Sequence, residues 1–299
     1  MNEVFRCGFV TLLGRPNVGK STLINALLGH KLSITSRRPQ TTRHRILGIK
    51  NNPDNQLIFV DTPGVHAVHK REINAVLNRT AQTSIEGVDL IALVISAKGW
   101  TPADEVPLKW VKDHACPSVL IINKIDRLSR KSALLPLIEE SNAMAEFANI
   151  IPVSATRGTN MDILEKQIIS LMPASPAGFP PDQLTDRSER FMAAEYIREQ
   201  LFNQLGQELP YSTAVQIDSF EREKKILRIG AVIMVERPGQ KGIVIGKQGE
   251  RLKQIGSQAR RSLEAYFDSK VYLELWVKLK QDWTDSAQAL RLLGYIEDI

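Results

Sequence analysis

Eight consecutive residues near the start of the chain have the types and spacing of a phosphate-binding loop. Gly14–Ser21 has the sequence GRPNVGKS and matches the pattern G-x-x-x-x-G-K-[ST]. In such a loop backbone N–H groups point at phosphate oxygens, the lysine contacts the β- and γ-phosphates, and the last hydroxyl coordinates Mg²⁺. The pattern predicts a nucleotide site that comprises Gly14, Arg15, Pro16, Asn17, Val18, Gly19, Lys20, Ser21 and the following Thr22.

Two later segments supply further candidate groups for the phosphates and the metal. Asp61–Gly64 (DTPG) follows an apolar run, and Asp61 is suited to hold Mg²⁺ directly or through water. Gly64 lets a backbone N–H approach the γ-phosphate closely. Gln40–Arg43 (QTTR) offers a threonine that can bind Mg²⁺ and release it after hydrolysis, with a basic surface loop as the alternative. We expect the nucleotide to lie against Asp61, Thr62, Pro63, Gly64 and Val65.

A third group of residues predicts which base is bound. Asn123–Asp126 has the sequence NKID, and the Asp126 carboxylate can accept hydrogen bonds from guanine N1–H and the 2-amino group. Adenine offers neither donor, so a buried Asp126 would then lack partners, which is costly. Asn123 can tie this loop to the phosphate loop, and the Lys124 stem can cover the base. Ser154-Ala155 can offer a backbone N–H to guanine O6, so we expect GTP rather than ATP.

The motifs lack a side chain that would orient the attacking water. Val65 follows Gly64 at the position where Ras-type GTPases carry a water-orienting glutamine, so we expect slow intrinsic hydrolysis. The candidate catalytic residues are Lys20, Asn17 and Gly64. The Asn17 side chain could help to hold a monovalent cation beside the phosphates. Equally, Asn17 could be a loop residue that only tolerates unusual backbone angles.

These motifs follow short apolar runs that alternate with helix-length amphipathic stretches. Continuous β-branched runs are typical of strands buried on both faces, and the alternation predicts an α/β domain with a mainly parallel sheet. Ligands bind beyond the carboxyl ends of such strands. We assign residues 1–172 to this domain. Its predicted strands are 9–13, 57–60, 90–95, 119–122 and 150–153, and its predicted helices are 21–28, 72–84, 104–114, 133–142 and 161–171.

A proline-rich segment separates this domain from a second one. Pro173–Pro181 (PASPAGFPP) has four prolines and no charge, which predicts a linker or an ordered crossover over residues 173–183. The order of elements then changes, so we expect a small α+β domain over 184–299. Its predicted helices are 189–205, two pieces interrupted at 246–249, and 285–293, and its predicted strands are 213–220, 225–236 and 271–280.

The interruption in the second domain carries a candidate nucleic-acid motif. Val244–Gly249 (VIGKQG) contains G-x-x-G with a central lysine between helices, as KH domains use to clamp a single-stranded backbone. Residues 182–299 have no net charge, yet residues 237–261 hold seven basic residues and one acidic residue. An ordinary glycine turn between solvated helices is the alternative. The predicted RNA-binding residues are Arg237, Lys241, Ile245, Gly246, Lys247, Gln248, Gly249, Arg251 and Lys253.

The motifs together resemble the bacterial Era GTPases over essentially the whole chain. The residues that carry the resemblance are GRPNVGKS at 14–21, QTTRH at 40–44, DTPGV at 61–65, NKID at 123–126, SA at 154–155 and VIGKQG at 244–249. The resemblance implies a Ras-like GTPase domain followed by a type II KH domain. It also implies Mg²⁺ ligands at Ser21, Thr42 and Asp61, and K⁺-stimulated hydrolysis through Asn17. An apolar residue at the position of Val65 is a trait of that family.

The resemblance further implies partners. Era proteins bind GTP and GDP, bind a single-stranded segment near the 3′ end of 16S rRNA, assist maturation of the 30S subunit and associate peripherally with the inner membrane. A GTP-controlled switch that contacts a membrane or a protein without specific RNA binding is the alternative. A GTPase that modifies RNA is disfavoured, because no nucleophile or second cofactor motif follows the linker.

The remaining composition excludes several classes of protein. The longest apolar run, Leu90–Ile95, is far shorter than the roughly 20 residues that cross a membrane, so we expect a soluble, cytoplasmic protein. We also expect a monomer. Two cysteines cannot form a disulfide framework or a metal cage, and Cys7 is predicted to be buried. His66 and His69 are spaced like metal ligands, but no further ligand joins them, so exposed loop histidines are expected.

Overall fold

The chain forms two compact units. The computed structural model describes residues 4–36, 38, 41–65, 72–206 and 209–295. As far as the chain is described, the first unit comprises Met1–Ser33, Thr42–Lys70 and Asn74–Asp186, and the second comprises Ile34–Thr41, Arg71–Ile73 and Arg187–Ile299. The segment 173–183 groups with the first unit, while the domain bounds 1–172 and 184–299 stay a prediction.

A mainly parallel sheet forms the centre of the first unit. Its strands, within the described residues, are β1 (Arg6–Leu13), β2 (Ile46–Asn51), β3 (Asn55–Asp61), β4 (Leu90–Ser96), β5 (Ser118–Asn123) and β6 (Asn149–Pro152). The spatial order is β2-β3-β1-β4-β5-β6, and only the β2–β3 pair is antiparallel. β4 (LIALVIS) is buried at every position, as expected for a strand covered on both faces. The predicted strands are therefore confirmed, and β2 is an additional strand.

The helices of the first unit follow the strands as predicted. They are α1 (Lys20–Leu28), α2 (Glu72–Thr83), α3 (Glu105–Asp113), α4 (Leu134–Met144) and α5 (Met161–Leu171). α1 ends at Gly29, whose φ of 78° suits glycine at a helix C-terminus. A short 3₁₀ turn, Pro102–Asp104, precedes α3 and is closed by reciprocal hydrogen bonds between Thr101 and Asp104.

The proline-rich segment is an ordered crossover on the first unit. The Gln56 side chain accepts hydrogen bonds from the backbone N–H groups of Gly178 (2.8 Å) and Phe179 (3.0 Å) and donates one to the Phe179 carbonyl (2.8 Å). Further along, the Ile49 N–H donates to the Leu184 carbonyl at 2.9 Å. Of the two predicted possibilities, a free linker and an ordered crossover, the structure has the second.

The second unit packs helices against one face of a small sheet. Its elements, within the described residues, are α6 (Glu189–Gln204), β7 (Thr213–Glu223), β8 (Ile226–Val235), α7 (Pro238–Ile245), α8 (Glu250–Phe267), β9 (Lys270–Leu279) and α9 (Ala287–Leu292). β8 is central, antiparallel to β7 and parallel to β9. Leu201, Ile233, Val244, Ile255 and Val277 meet in its core. The predicted α+β order is confirmed.

The predictions on cysteines, loop histidines and membrane-spanning segments have different outcomes. Cys7 is buried, as predicted, and Cys116 is partly exposed. His66 and His69 lie outside the described residues. Among the residues that are described, no helix has both the length and the apolar composition to cross a bilayer.

Candidate nucleotide site and nucleic-acid groove

The sequence motifs of the first unit meet at one edge of its sheet. Gly14 follows β1 directly, Asp61 is the last residue of β3, Asn123 is the last residue of β5, and Ser154 comes two residues after β6. These strands are parallel, so their carboxyl ends share an edge. This is where open α/β sheets bind ligands, and the predicted placement is confirmed.

The phosphate-loop candidate is shaped by close backbone approaches at its glycines. Gly14 has φ 144°, and a Cβ there would lie 2.4 Å from the Val94 carbonyl oxygen. Gly19 has φ 104°, and a Cβ there would meet the Asn123 amide at 2.5 Å. Gly64 lies against Pro16, whose atoms would be 2.9–3.0 Å from an added Cβ. A larger residue at any of these positions would therefore displace a neighbouring segment: β4 at Gly14, the NKID motif at Gly19 and the phosphate loop at Gly64.

Lys20 lies buried at the first position of α1. Its ammonium donates hydrogen bonds to the carbonyls of Gly14 (2.9 Å) and Arg15 (3.4 Å). Burial lowers the pKa of Lys20 to about 8, against the attraction of the Asp61 and Asp104 carboxylates, which raises it. The cation is thus held inside the loop, where a phosphate group would be a strong partner.

The three predicted metal ligands lie together. The hydroxyls of Ser21 and Thr42 share a hydrogen bond of 2.9 Å, and the Thr42 hydroxyl lies 3.4 Å from Asp61 Oδ2. Asp61 Oδ1 is buried and has no hydrogen-bond partner among the described residues. Burial raises the pKa of Asp61, while the hydroxyls of Ser33, Ser21 and Thr42 and the Lys20 ammonium lower it. A buried carboxylate oxygen without a partner beside two hydroxyls fits Mg²⁺, which prefers oxygen ligands.

The candidate base site is tied to the phosphate loop by Asn123. The Asn123 amide donates to the Val18 carbonyl at 3.0 Å, and its oxygen accepts from the N–H groups of Lys124 (2.7 Å) and Ala155 (3.2 Å). The predicted link between the two loops is confirmed. The Ser154 hydroxyl donates to Asp126 Oδ1 at 2.6 Å, so the exposed Asp126 carboxylate is held in one orientation.

Lys124 and Asn17 face each other across this site. The Lys124 ammonium donates to the Asn17 carbonyl, and the pKa of Lys124 is lowered, first by burial and then by nearby cations including Arg127 and Arg15. Asn17 has φ 63°, which matches the interpretation as a residue that tolerates unusual backbone angles. Its role toward a monovalent cation stays a prediction.

The structure describes only part of the two segments expected near the γ-phosphate, which are QTTR at 40–43 and DTPGV at 61–65. Gln40 lies outside the described residues, whereas Thr41 does not, and its hydroxyl donates to the Arg38 carbonyl at 2.9 Å. Thr62 is buried, and its hydroxyl donates to the Leu12 carbonyl at 2.9 Å. The Val65 side chain is also buried, so it cannot contact an attacking water.

In the second unit, the G-x-x-G segment forms a tight turn between α7 and α8. Gly246 has φ 75°, and a Cβ there would lie 2.7 Å from Arg251 Cβ. Gln248 and Gly249 also have positive φ, 51° and 81°. Lys247 is exposed at the tip. The backbone can therefore approach a ligand closely beside the N-terminus of α8.

A groove of about 450 Å³ runs from this turn along α8 and β9. Its leucines are partly buried, whereas Lys253 and Arg260 are exposed. Gly256 lets α8 approach β9, since a Cβ there would meet Leu275 at 3.3 Å. The lining residues are Gly249, Leu252, Lys253, Gly256, Ser257, Arg260, Leu273 and Leu275.

Six of the eight lining residues were not among the predicted RNA-binding residues. Of the predicted RNA contacts, Gly249 and Lys253 line the groove, while Arg237 immediately precedes α7 and Lys241 lies in the middle of that helix. Ser257 and Arg260 stand one turn apart on α8, and Leu273 and Leu275 alternate on β9. The spacing of three residues on a helix and of two on a strand could have identified these two pairs, once α8 and β9 were assumed to pack together.

Comparison with known proteins decides the family. Residues 9–124 match the family model described as a 50S ribosome-binding GTPase, and residues 208–284 match the KH domain. GTPase Era of Stenotrophomonas maltophilia is 52% identical over 289 residues, which is 97% of each chain. The chain belongs to the Era family of GTPases. GTPase Era of Pseudomonas aeruginosa is similarly close, with 50% identity over 97% of this chain and 95% of that one.

Solved Era structures share the fold. Era in complex with MgGDPNP and nucleotides 1506–1542 of 16S ribosomal RNA has a TM-score of 0.95 and 41% identity, covering 98% of this chain and all of that one. A variant of Aquifex aeolicus Era bound to GDP and AlF₄⁻ has a TM-score of 0.95 and 40% identity over the same share. The predicted P-loop GTPase fold followed by a KH domain is confirmed, as is the resemblance drawn from the motifs.

Proposed function

We propose that this Era-family GTPase is a GTP-controlled switch that binds single-stranded RNA near the 3′ end of 16S rRNA during maturation of the 30S subunit. The observation that carries the proposal is the Gly246–Gly249 turn, which lies next to a groove lined by partly buried leucines and exposed cations. Such a groove suits unstacked bases, while Lys247 and the α8 N-terminus suit their phosphates. The solved relative that holds 16S rRNA supports the choice of RNA.

For the nucleotide, we propose GTP with Mg²⁺. Asp126 accepts the two donors on the guanine edge. The Ala155 N–H, which donates to Asn123 Oδ1 in this structure, turns to O6 when guanine binds. Mg²⁺ bound by Ser21, Thr42 and Asp61 would neutralise charge on the β- and γ-phosphates. The oxygen cluster and the orphaned Asp61 Oδ1 support this assignment.

For hydrolysis, the chain's own residues supply charge and positioning. Lys20 neutralises the phosphates, and the Gly64 N–H approaches the γ-phosphate because Gly64 lies against the phosphate loop. The buried Val65 offers no group to orient water. We propose a slow intrinsic rate, assisted by K⁺ held near Asn17.

Cross-linking of the protein to cellular RNA, followed by sequencing, tests this function. The GTP-analogue form should enrich the 3′ end of 16S rRNA over the GDP form. Lys247→Glu should abolish the enrichment, because it reverses the charge at the tip of the turn. Lys225→Glu, an identical charge change on the exposed β7–β8 turn, is the matched control and should retain it.

Two results would overturn the RNA assignment. One is recovery of random RNA in every nucleotide state. The other is an equal loss of 16S rRNA enrichment in Lys247→Glu and Lys225→Glu. Enrichment of membrane or protein partners with no preferred RNA would instead support a switch without specific RNA binding.

For the location, we infer the cytoplasm with peripheral association with the inner membrane, and a monomer. The family resemblance supports the membrane association. Fractionation of cells expressing the tagged chain tests them, since membrane-bound protein should be released by high salt. Protein that resists salt extraction, or that sediments as a larger oligomer, would contradict them.

A further inference from the structure

A buried carboxylate lies next to the phosphate loop without belonging to any of the nucleotide motifs. Asp104 is in the 3₁₀ turn between β4 and α3 and has no exposed surface. Its Oδ2 accepts three hydrogen bonds, from Arg15 Nε at 3.0 Å, the Thr101 N–H at 3.0 Å and the Thr101 hydroxyl at 2.7 Å. Its Oδ1 has no hydrogen-bond partner among the described residues.

Capping alone does not account for this burial. The cap bonds come from Thr101, a neutral residue, so they do not compensate the charge of the buried carboxylate. Burying a carboxylate costs several kcal/mol unless an opposite charge compensates. Arg15 supplies that charge, with its side chain 22% exposed against 0% for Asp104. The ion pair therefore compensates a buried charge that the cap alone would leave uncompensated.

Arg15 is restrained at both of its ends. Its carbonyl accepts a hydrogen bond from the Lys20 ammonium at 3.4 Å, and its guanidinium donates to Asp104. Gly14, immediately before it, lies against the Val94 carbonyl of β4. The first turn of the phosphate loop is thus held between β4 and the 3₁₀ turn that follows β4.

We propose that Asp104 is a positioning residue for nucleotide binding, which acts through Arg15 to hold the start of the phosphate loop in its binding geometry. Consecutive backbone N–H groups bind phosphates only when the loop is fixed, so a loosened loop weakens the ligands that rest on it. GDP and GTP share those phosphates and should be affected alike. This role is independent of the proposed RNA binding.

Nucleotide release tests the proposal. Asp104→Asn keeps the shape and a hydrogen-bond acceptor but removes the charge. The dissociation rate constant of a fluorescent GDP analogue should rise about tenfold, as expected for losing one charged hydrogen bond. KM for GTP should rise in parallel, while kcat at saturating GTP stays close to that of the wild type. Arg15→Met should give the same increase, and the double variant no more than either single change.

Two controls separate positioning from a structural effect. Thr101→Ala removes a hydrogen bond to Asp104 and leaves the ion pair, so it should lower the thermal stability without speeding nucleotide release. Arg15→Lys keeps a cation and should recover part of the affinity lost in Arg15→Met. If Asp104→Asn fails to fold, wild-type release from Arg15→Met still overturns the proposal.

Three results would overturn the proposal: additive effects in the double variant, equally fast release from Thr101→Ala, or unchanged release from Arg15→Met. The first would show that Asp104 does not act through Arg15. The second would show that Asp104 acts only as a helix cap. The third would show that Arg15 does not contribute to nucleotide binding.

Discussion

Asp126 shows how one side chain can set the choice of base. The Ser154 hydroxyl occupies one side of Oδ1, which fixes the plane of the carboxylate and leaves its remaining lone pairs toward solvent. Guanine presents two adjacent donors that match a carboxylate. Xanthine replaces the 2-amino group with a carbonyl, which matches an amide N–H instead.

We therefore expect Asp126→Asn to weaken GTP binding by at least about a hundredfold, since two hydrogen bonds to a charged acceptor are lost. Xanthosine triphosphate should bind the variant more tightly than GTP does. Competition against a fluorescent nucleotide measures both. Asp113→Asn, at the exposed end of α3, is the matched control and should leave the preference for GTP unchanged. An unaltered ratio of GTP to xanthosine triphosphate affinity in Asp126→Asn would contradict the assigned role.

At the residue scale, the roles that can be predicted from sequence belong to residues that lie close together in the chain. Lys20, Asp61 and Asn123 lie in short motifs whose spacing carries their chemistry. Asp104 has no such signal, because its partner Arg15 is 89 residues away and aspartate before a helix is common. Its burial and its ion pair become visible only in the folded chain.

Among the elements, the proline-rich crossover depends on one buried side chain. Gln56 is 1% exposed and lies on β3, and it binds three backbone groups of Gly178 and Phe179. The Phe179 ring then packs edge-on against Phe9 at 6.3 Å between centroids. Proline cannot donate hydrogen bonds, so the crossover relies on such side-chain contacts rather than on a strand ladder.

Gln56→Ala should lower the free energy of unfolding by about 3 kcal/mol, because it leaves two backbone N–H groups and a carbonyl without partners. Chemical denaturation measures the change. Gln82→Ala, on the exposed face of α2, is the control and should change stability by less than about 0.5 kcal/mol. Equal stability of the two variants would show that water replaces the Gln56 contacts at no cost.

The strands and helices could be predicted where a single pattern dominates. β4 and β5 are continuous apolar runs, and α3 places apolar residues at helical spacing. β2 was missed because ILGIKN is short, contains Gly48 and ends in polar residues. The reason for Gly48 is tertiary: a Cβ there would lie 2.7 Å from Leu28 and 3.0 Å from Leu32.

At the scale of the whole molecule, the charge is distributed locally. The chain carries a net charge of +6, and residues 182–299 carry none, yet residues 237–261 have a strong excess of basic residues. Total charge therefore could not predict an RNA partner, whereas the local excess, the G-x-x-G turn and the order of elements could. The β9 wall of the groove could not be predicted, because it depends on how closely α8 approaches β9 at Gly256.

If the nucleotide state controls RNA binding, the coupling must be reciprocal, because the two ligands form a closed thermodynamic cycle. A single-stranded oligonucleotide with the 3′-terminal sequence of 16S rRNA should raise the affinity for a non-hydrolysable GTP analogue relative to GDP. The increase should equal the factor by which the analogue raises RNA affinity, about 5–150-fold for typical coupled sites. Fluorescent-nucleotide titrations with and without RNA, paired with RNA titrations in both nucleotide states, measure the two factors. Lys247→Glu should remove the RNA effect, and Lys225→Glu should preserve it. Equal RNA affinities in both states, with no effect of RNA on nucleotide binding, would leave two independent binding activities in one chain and no switch.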